Sequence, residues 1–105
     1  MATTFLQIEI NFNNAMKKAD ELDSIASDIK TLAASKMEES LQKLAQGWQS
    51  DSSAEYISKG SSLESQIEKS AKQLSDIADS IRTCARRTRS AERRALEIAM
   101  QRDYN

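Results

Sequence analysis

Apolar and small residues recur at intervals of three and four along most of this chain. From Phe12 the series runs through Ala15 and Met16, Ala19, Leu22, Ile25 and Ala26, Ile29, Leu32 and Ala33, Met37, Leu41 and Leu44 to Trp48. That spacing lays one apolar stripe along an α-helix, because successive residues turn by about 100°. Lys17, Glu21, Asp28, Glu38, Glu39 and Lys43 fall on the opposite face. The pattern predicts a helix over about residues 11–46, about 54 Å long at about 1.5 Å per residue. Upstream, Phe5, Ile8, Ile10 and Phe12 alternate loosely with Gln7, Glu9 and Asn11. Residues 1–10 read as an N-terminal arm, either extended or forming an opening helical turn, with Asn11, Asn13 and Asn14 as N-cap candidates.

Gly47 is expected to end the first helix, since glycine adopts a left-handed cap without a steric penalty. The polar stretch Gln49–Ser53 then supplies a turn over about 47–51, and Ser52 with Glu55 fits a capping box that starts a second helix. The second stripe runs Tyr56 and Ile57, Gly60, Leu63, Ile67, Ala71, Leu74, Ile77 and Ala78, Ile81, Cys84 and Ala85, Thr88, Ala91, Ala95, Ile98 and Ala99. Its mean spacing near 3.5 suits coiled-coil packing over about residues 52–101, about 75 Å. Two long helices joined by a short turn run antiparallel. The fold expected is therefore all-α: a single helical-hairpin domain spanning 1–105, with its Arg-rich end running past the first helix. Two such hairpins would pair into a four-helix bundle, with Leu22, Ile25, Ile29, Leu63, Ile67, Leu74 and Ile81 as partner-interface residues.

The turn has a specific form. Trp48 stands at the helix–helix junction after Gly47, Ser50 follows two residues later, and Tyr56 sits eight residues after the tryptophan. This segment, with the chain length, the centred turn and the long second helix, resembles the WXG (Trp-x-Gly) family of type VII secretion substrates and partners. The family's glycine position is Ser50 here, so the motif reads Trp-Gln-Ser. Family members often carry a Tyr-x-x-x-Asp/Glu export signal on the second helix. Glu92 fits its acidic place, and Thr88 occupies the aromatic one. The resemblance implies a secretion-signal-like pair at Thr88 and Glu92 completed by a partner, and antiparallel dimerisation with itself or a related helical protein. It also implies the helical N-terminal domain of a larger Leu-x-Gly-type toxin as a candidate passenger, and a secretion ATPase as the machinery.

Composition sharpens this picture. There is no proline and only two glycines, which permits very long helices. The aromatics are Phe5, Phe12, Trp48, Tyr56 and Tyr104, too few large apolar groups for a thick core in 105 residues, so a partner is expected. The net charge of −1 exerts no general pull on nucleic acid or membrane. Every lysine lies at or before Lys72 and every arginine between Arg82 and Arg102. On a helical wheel Arg82, Arg86, Arg89 and Arg93 share a face, read as solvated or turned toward an acidic partner helix rather than toward nucleic acid. Cys84, alone and on the apolar stripe, reads as a buried structural thiol.

No N-terminal secretory signal and no apolar run of membrane-spanning length is apparent. The expected location is cytoplasmic before export, then secreted or at the cell surface without signal cleavage, and with no membrane insertion. There is no histidine, and no nucleophile–base pair, metal-ligand cluster or phosphate loop is visible, so no catalytic residue, metal or cofactor is expected. The competing function class is a cytosolic helical adaptor, associated with nucleic acid through the Arg-rich helix.

Overall fold

A computed structural model describes residues 4–48 and 51–104, with side chains to residue 102. The described chain is all-α. Helix α1 spans Phe5–Thr31, a π-helical segment covers Leu32–Met37, α2 spans Glu38–Gly47 and α3 spans Asp51–Tyr104.

Helix α1 begins at Phe5, not near residue 11, so residues 5–10 are helical rather than an extended arm. The cause is local. The Gln7 backbone N–H donates to Thr4 Oγ1 at 3.1 Å, and the Ile8 N–H donates to the Thr4 carbonyl at 3.0 Å. Thr4 is thus the N-cap, and Thr4-Phe5-Leu6-Gln7 has the residue types of a capping box. Asn11, Asn13 and Asn14 lie inside the helix. At the other junction α3 begins at Asp51, so Ser52 falls in its first turn, and the Asp51 carboxylate sits favourably at the positive end of the helix dipole.

The π segment answers a phase change in the sequence. Phe5, Ile8, Phe12, Ala15, Ala19, Leu22, Ala26, Ile29 and Ala33 alternate gaps of three and four. Ile29, Ala33, Met37 and Leu41 are then separated by three successive gaps of four, one residue more than the repeat allows. A π turn bonds i to i+5 and takes up that residue. Met37, Leu41 and Leu44 therefore stay partly covered after the insertion.

The chain forms two compact units, to both of which α1 and α3 contribute. The first comprises residues 1–21 and 76–105. Its helical segments run antiparallel: Phe5 meets Arg93, Phe12 meets Arg89 and Asp20 meets Arg82. Its buried apolar residues are Ile8, Ala19 and Ala78. Leu96 is the last α3 residue that is partly covered, and residues 97–102 are all exposed.

The second unit is residues 22–75, closed by the turn after α2. It is antiparallel as well: Ser75 Oγ donates to Asp23 Oδ1 at 3.1 Å, and the Leu41 side chain lies against Gly60. Ala26, Ala33, Ala71 and Ser53 are buried there. Alanine at these positions lets two helices approach toward the near limit of about 8 Å between axes. The larger residues beside them, Leu22, Ile29, Ile67 and Leu74, are only half-buried. Glu64 also stands on this seam. Its partial burial, its hydrogen bond with Glu38 and the charges of Glu38 and Glu68 hold its carboxyl above the ordinary value of 4.5.

Candidate functional site

Three places in the fold gather distinctive side chains. The first is the turn. Gly47 is the last residue of α2, and Trp48 is its C-cap in an extended conformation, φ −141° and ψ 105°, with its N–H donating to the Leu44 carbonyl at 3.0 Å. No described glycine has a positive φ, so the expected left-handed cap at Gly47 does not form. The extended Trp48 backbone ends the helix instead, and swings the indole toward α3. There it meets Tyr56, with ring centroids 5.7 Å apart and planes tilted by 48°. A tilted aromatic pair at this distance contributes about 0.5–1.5 kcal/mol beyond area burial. Both rings keep a solvent face: Trp48 is 39% exposed and Tyr56 65%. The fold thus brings together Gly47, Trp48 and Tyr56, while Ser50 lies outside the described residues.

The second is an interlock in the first unit that the sequence reading missed. Phe5, Glu9 and Phe12 form one face of α1 at spacings of four and three. Arg89 stacks on Phe12, its guanidinium carbon 3.8 Å from the ring centre, and Arg93 lies over Phe5 at 5.7 Å. Between the rings, Glu9 pairs with Arg93 at 3.0 Å and with Arg89 at 3.6 Å. A guanidinium over an aromatic face is held by the ring quadrupole as well as by its carboxylate partner. Two turns further along, Arg82 bridges Asp20 at 2.7 Å and Asp79 at 2.9 Å. Arg82, Arg89 and Arg93 therefore bind α1, whereas Arg86, on the same wheel face, is exposed and pairs with no carboxylate among the described residues. The four arginines predicted on one wheel face do not act together.

The third is an open apolar groove of about 420 Å³ along the flank of the same unit. Ile8, Phe12, Ile77, Ile81 and Cys84 supply its apolar lining, and Thr88, Arg89 and Glu92 lie at one end. Thr88 and Glu92 are thus adjacent along one groove. Cys84 is exposed, which corrects the expectation of a buried thiol. At its level the seam residue is Ala85, about 100° further round the helix, and the smaller methyl takes the close-approach position.

The same one-residue choice sorts the predicted interface. Leu22, Ile29, Ile67, Leu74 and Ile81 are half-buried against the opposite helix of their unit. Ile25 and Leu63 are about half exposed, because Ala26 and Glu64 occupy the seam beside them. Among the described residues, no group of three or more His, Cys, Asp or Glu side chains could hold a metal, and no helix is long and apolar enough to cross a membrane.

No family model, characterised protein or solved structure matches the chain.

Proposed function

We propose that this chain works by pairing its helices with those of another helical protein, as a WXG-like substrate or export partner of type VII secretion. The observation that carries the reading is the half-finished seam. Ala19, Ala26, Ala33, Ala71 and Ala78 are buried, while Leu22, Ile29, Ile67, Leu74 and Ile81 beside them remain only half-buried. Full burial of such a side chain is worth about 1.5–3 kcal/mol, so covering the part still open to solvent gains at most about 1 kcal/mol at each. Ile25, Leu63 and Ile77, each about half exposed, widen the apolar surface that a partner would cover.

The partner is a second copy, a related helical chain, or the helical N-terminal domain of a Leu-x-Gly-type toxin, packed as a four-helix bundle. The exposed faces of Trp48 and Tyr56 at the turn fit a recognition role for that motif. Thr88 and Glu92, at one end of the apolar groove, fit an export signal whose aromatic residue comes from the partner. In this reading the complex is cytoplasmic until the secretion ATPase exports it without signal cleavage.

The test is export from the native host with and without that ATPase, combined with the intact mass of the complex recovered from the cytoplasm. The reading expects a defined helical complex inside the cell, and ATPase-dependent appearance of the chain outside. Equal amounts of the chain outside in both strains, or a monomeric mass at micromolar concentration, refute it. Trp48→Ala should leave circular-dichroism helicity nearly unchanged and abolish export; full export of that variant removes the turn from the recognition surface.

A further inference from the structure

The six arginines from Arg82 to Arg94 divide into two sets. Arg82, Arg89 and Arg93 turn toward α1 and are neutralised by Asp20, Asp79 and Glu9. Arg86 lies beside those three on the wheel but is exposed, Arg87 and Arg94 lie on another face of α3, and among the described residues no carboxylate pairs with any of Arg86, Arg87 and Arg94. The three arginines line a shallow, open cleft together with Ser90 and Ala91.

Arg87, Ala91, Arg94 and Ile98 follow at gaps of four, three and four, so they share one face. Ile98 on that face is 46% exposed. Arg87 and Arg94 are one heptad apart, about 10.5 Å along the axis. The face therefore has the composition of a helix-pairing seam. Ala91 allows close approach, an uncovered isoleucine offers apolar area, and two cations stand a heptad apart, a distance that another helix can match.

A guanidinium is always charged, and its planar fork matches a carboxylate. A nucleic acid fits less well. Three free cations within about 12 Å reach few phosphates. The residues from Arg86 to Ile98 include no aromatic on which a base could stack. The chain's net charge of −1 provides no long-range attraction for a polyanion.

We propose that this face of α3 docks an amphipathic helix of a different protein, one that presents carboxylates a heptad apart beside an apolar residue. The proposal rests on the helix-pairing reading and names the chemistry of its partner. It assigns this docking to a surface apart from the half-buried seam, which stays with the bundle partner of the helix-pairing reading.

The experiment uses the full chain and a labelled four-heptad amphipathic peptide with leucine at the seam and one glutamate per heptad, followed by fluorescence anisotropy. A peptide with glutamine in place of glutamate and a 20-base-pair DNA duplex are run beside it. The glutamate peptide should bind at least tenfold more tightly than the glutamine peptide. A combined Arg86→Gln, Arg87→Gln, Arg94→Gln variant should lose that tenfold, while Arg89→Gln, at a paired arginine, should stay within twofold. Arg87→Glu with Arg94→Glu should regain binding to a peptide bearing lysine in place of glutamate.

Equal loss with Arg89→Gln overturns the proposal, as does equal binding of the glutamate and glutamine peptides. Tighter binding of the duplex, lost in the triple variant, overturns it in favour of nucleic acid. The triple variant should keep the oligomeric mass of the parent chain. Failure of peptide binding with that mass intact sinks the docking face alone, whereas the absence of any helical complex of the chain in the native cytoplasm sinks the helix-pairing reading.

Discussion

Gly60 lies inside α3, where glycine costs about 1 kcal/mol relative to alanine because it fixes the most backbone freedom. Its place is explained by the helix opposite. A Cβ built on Gly60 would collide with Leu41 Cδ2 and lie 3.4 Å from Leu41 Cδ1 and Cγ, so the leucine packs directly on the glycine backbone. Gly60→Ala therefore combines two opposed terms: a helix-propensity gain of about 1 kcal/mol and an over-packing penalty of about 1–3 kcal/mol. The obstructing atom is a terminal methyl of a half-buried leucine and can rotate aside, which places the penalty near the lower bound. The substitution should be neutral to within about 0.5 kcal/mol in the parent chain. In a Leu41→Ala background the obstruction is gone, and the same change should stabilise by about 1 kcal/mol. The coupling between the two sites is then about 1 kcal/mol, well above the additivity error of about 0.3–0.5 kcal/mol. The assay is a double-mutant cycle by urea or thermal unfolding at one fixed protein concentration, since association would otherwise shift every midpoint. At this chain length the gain corresponds to a rise of about 4–8 °C in Tm. Equal stabilisation by Gly60→Ala in both backgrounds would refute the contact between Leu41 and the glycine backbone.

Gly47 supplies the opposite case: it has neither positive φ nor any atom within 4 Å of an added Cβ, so Gly47→Ala should raise stability by up to about 1 kcal/mol. Destabilisation in the same unfolding assay would mean that the turn does use a left-handed glycine. Glu64 gives a pH signature. A carboxyl whose folded value is raised binds more protons in the native state than in the unfolded one, so it contributes stability that grows as pH falls through the raised value and is complete below 4.5. Glu64→Gln should stabilise the chain at pH 7 and flatten that component, a difference read from paired melting curves between pH 4 and 8; parallel curves would refute it. Glu9→Gln removes two ion pairs that are partly open to solvent, so the loss should stay near about 1 kcal/mol and shrink in high salt. A loss that is unchanged by salt would point to packing rather than charge.

The sequence by itself determined the helical class, the position of the turn and the incompleteness of the core. It could do so because period and composition are local properties: stripes at gaps of three and four, no proline, and alanines where bulky residues would make a core. Two further signals were legible and passed over. Thr4 with Gln7 marks the start of α1, and the three gaps of four after Ile29 mark the π segment.

The tertiary structure alone decided which of two neighbouring residues faces the opposite helix: Ala26 rather than Ile25, Glu64 rather than Leu63, and Ala85 rather than Cys84. A periodic stripe fixes a face only to within one residue, about 100° of arc. Close approach of two backbones then selects the smaller side chain in two of these three cases, and that selection depends on what stands across the gap. The arginines follow the same logic. On one helix they are a row of equivalent charges; only the placement of Phe5, Glu9, Phe12 and Asp20 opposite them separates those that are neutralised from those left free.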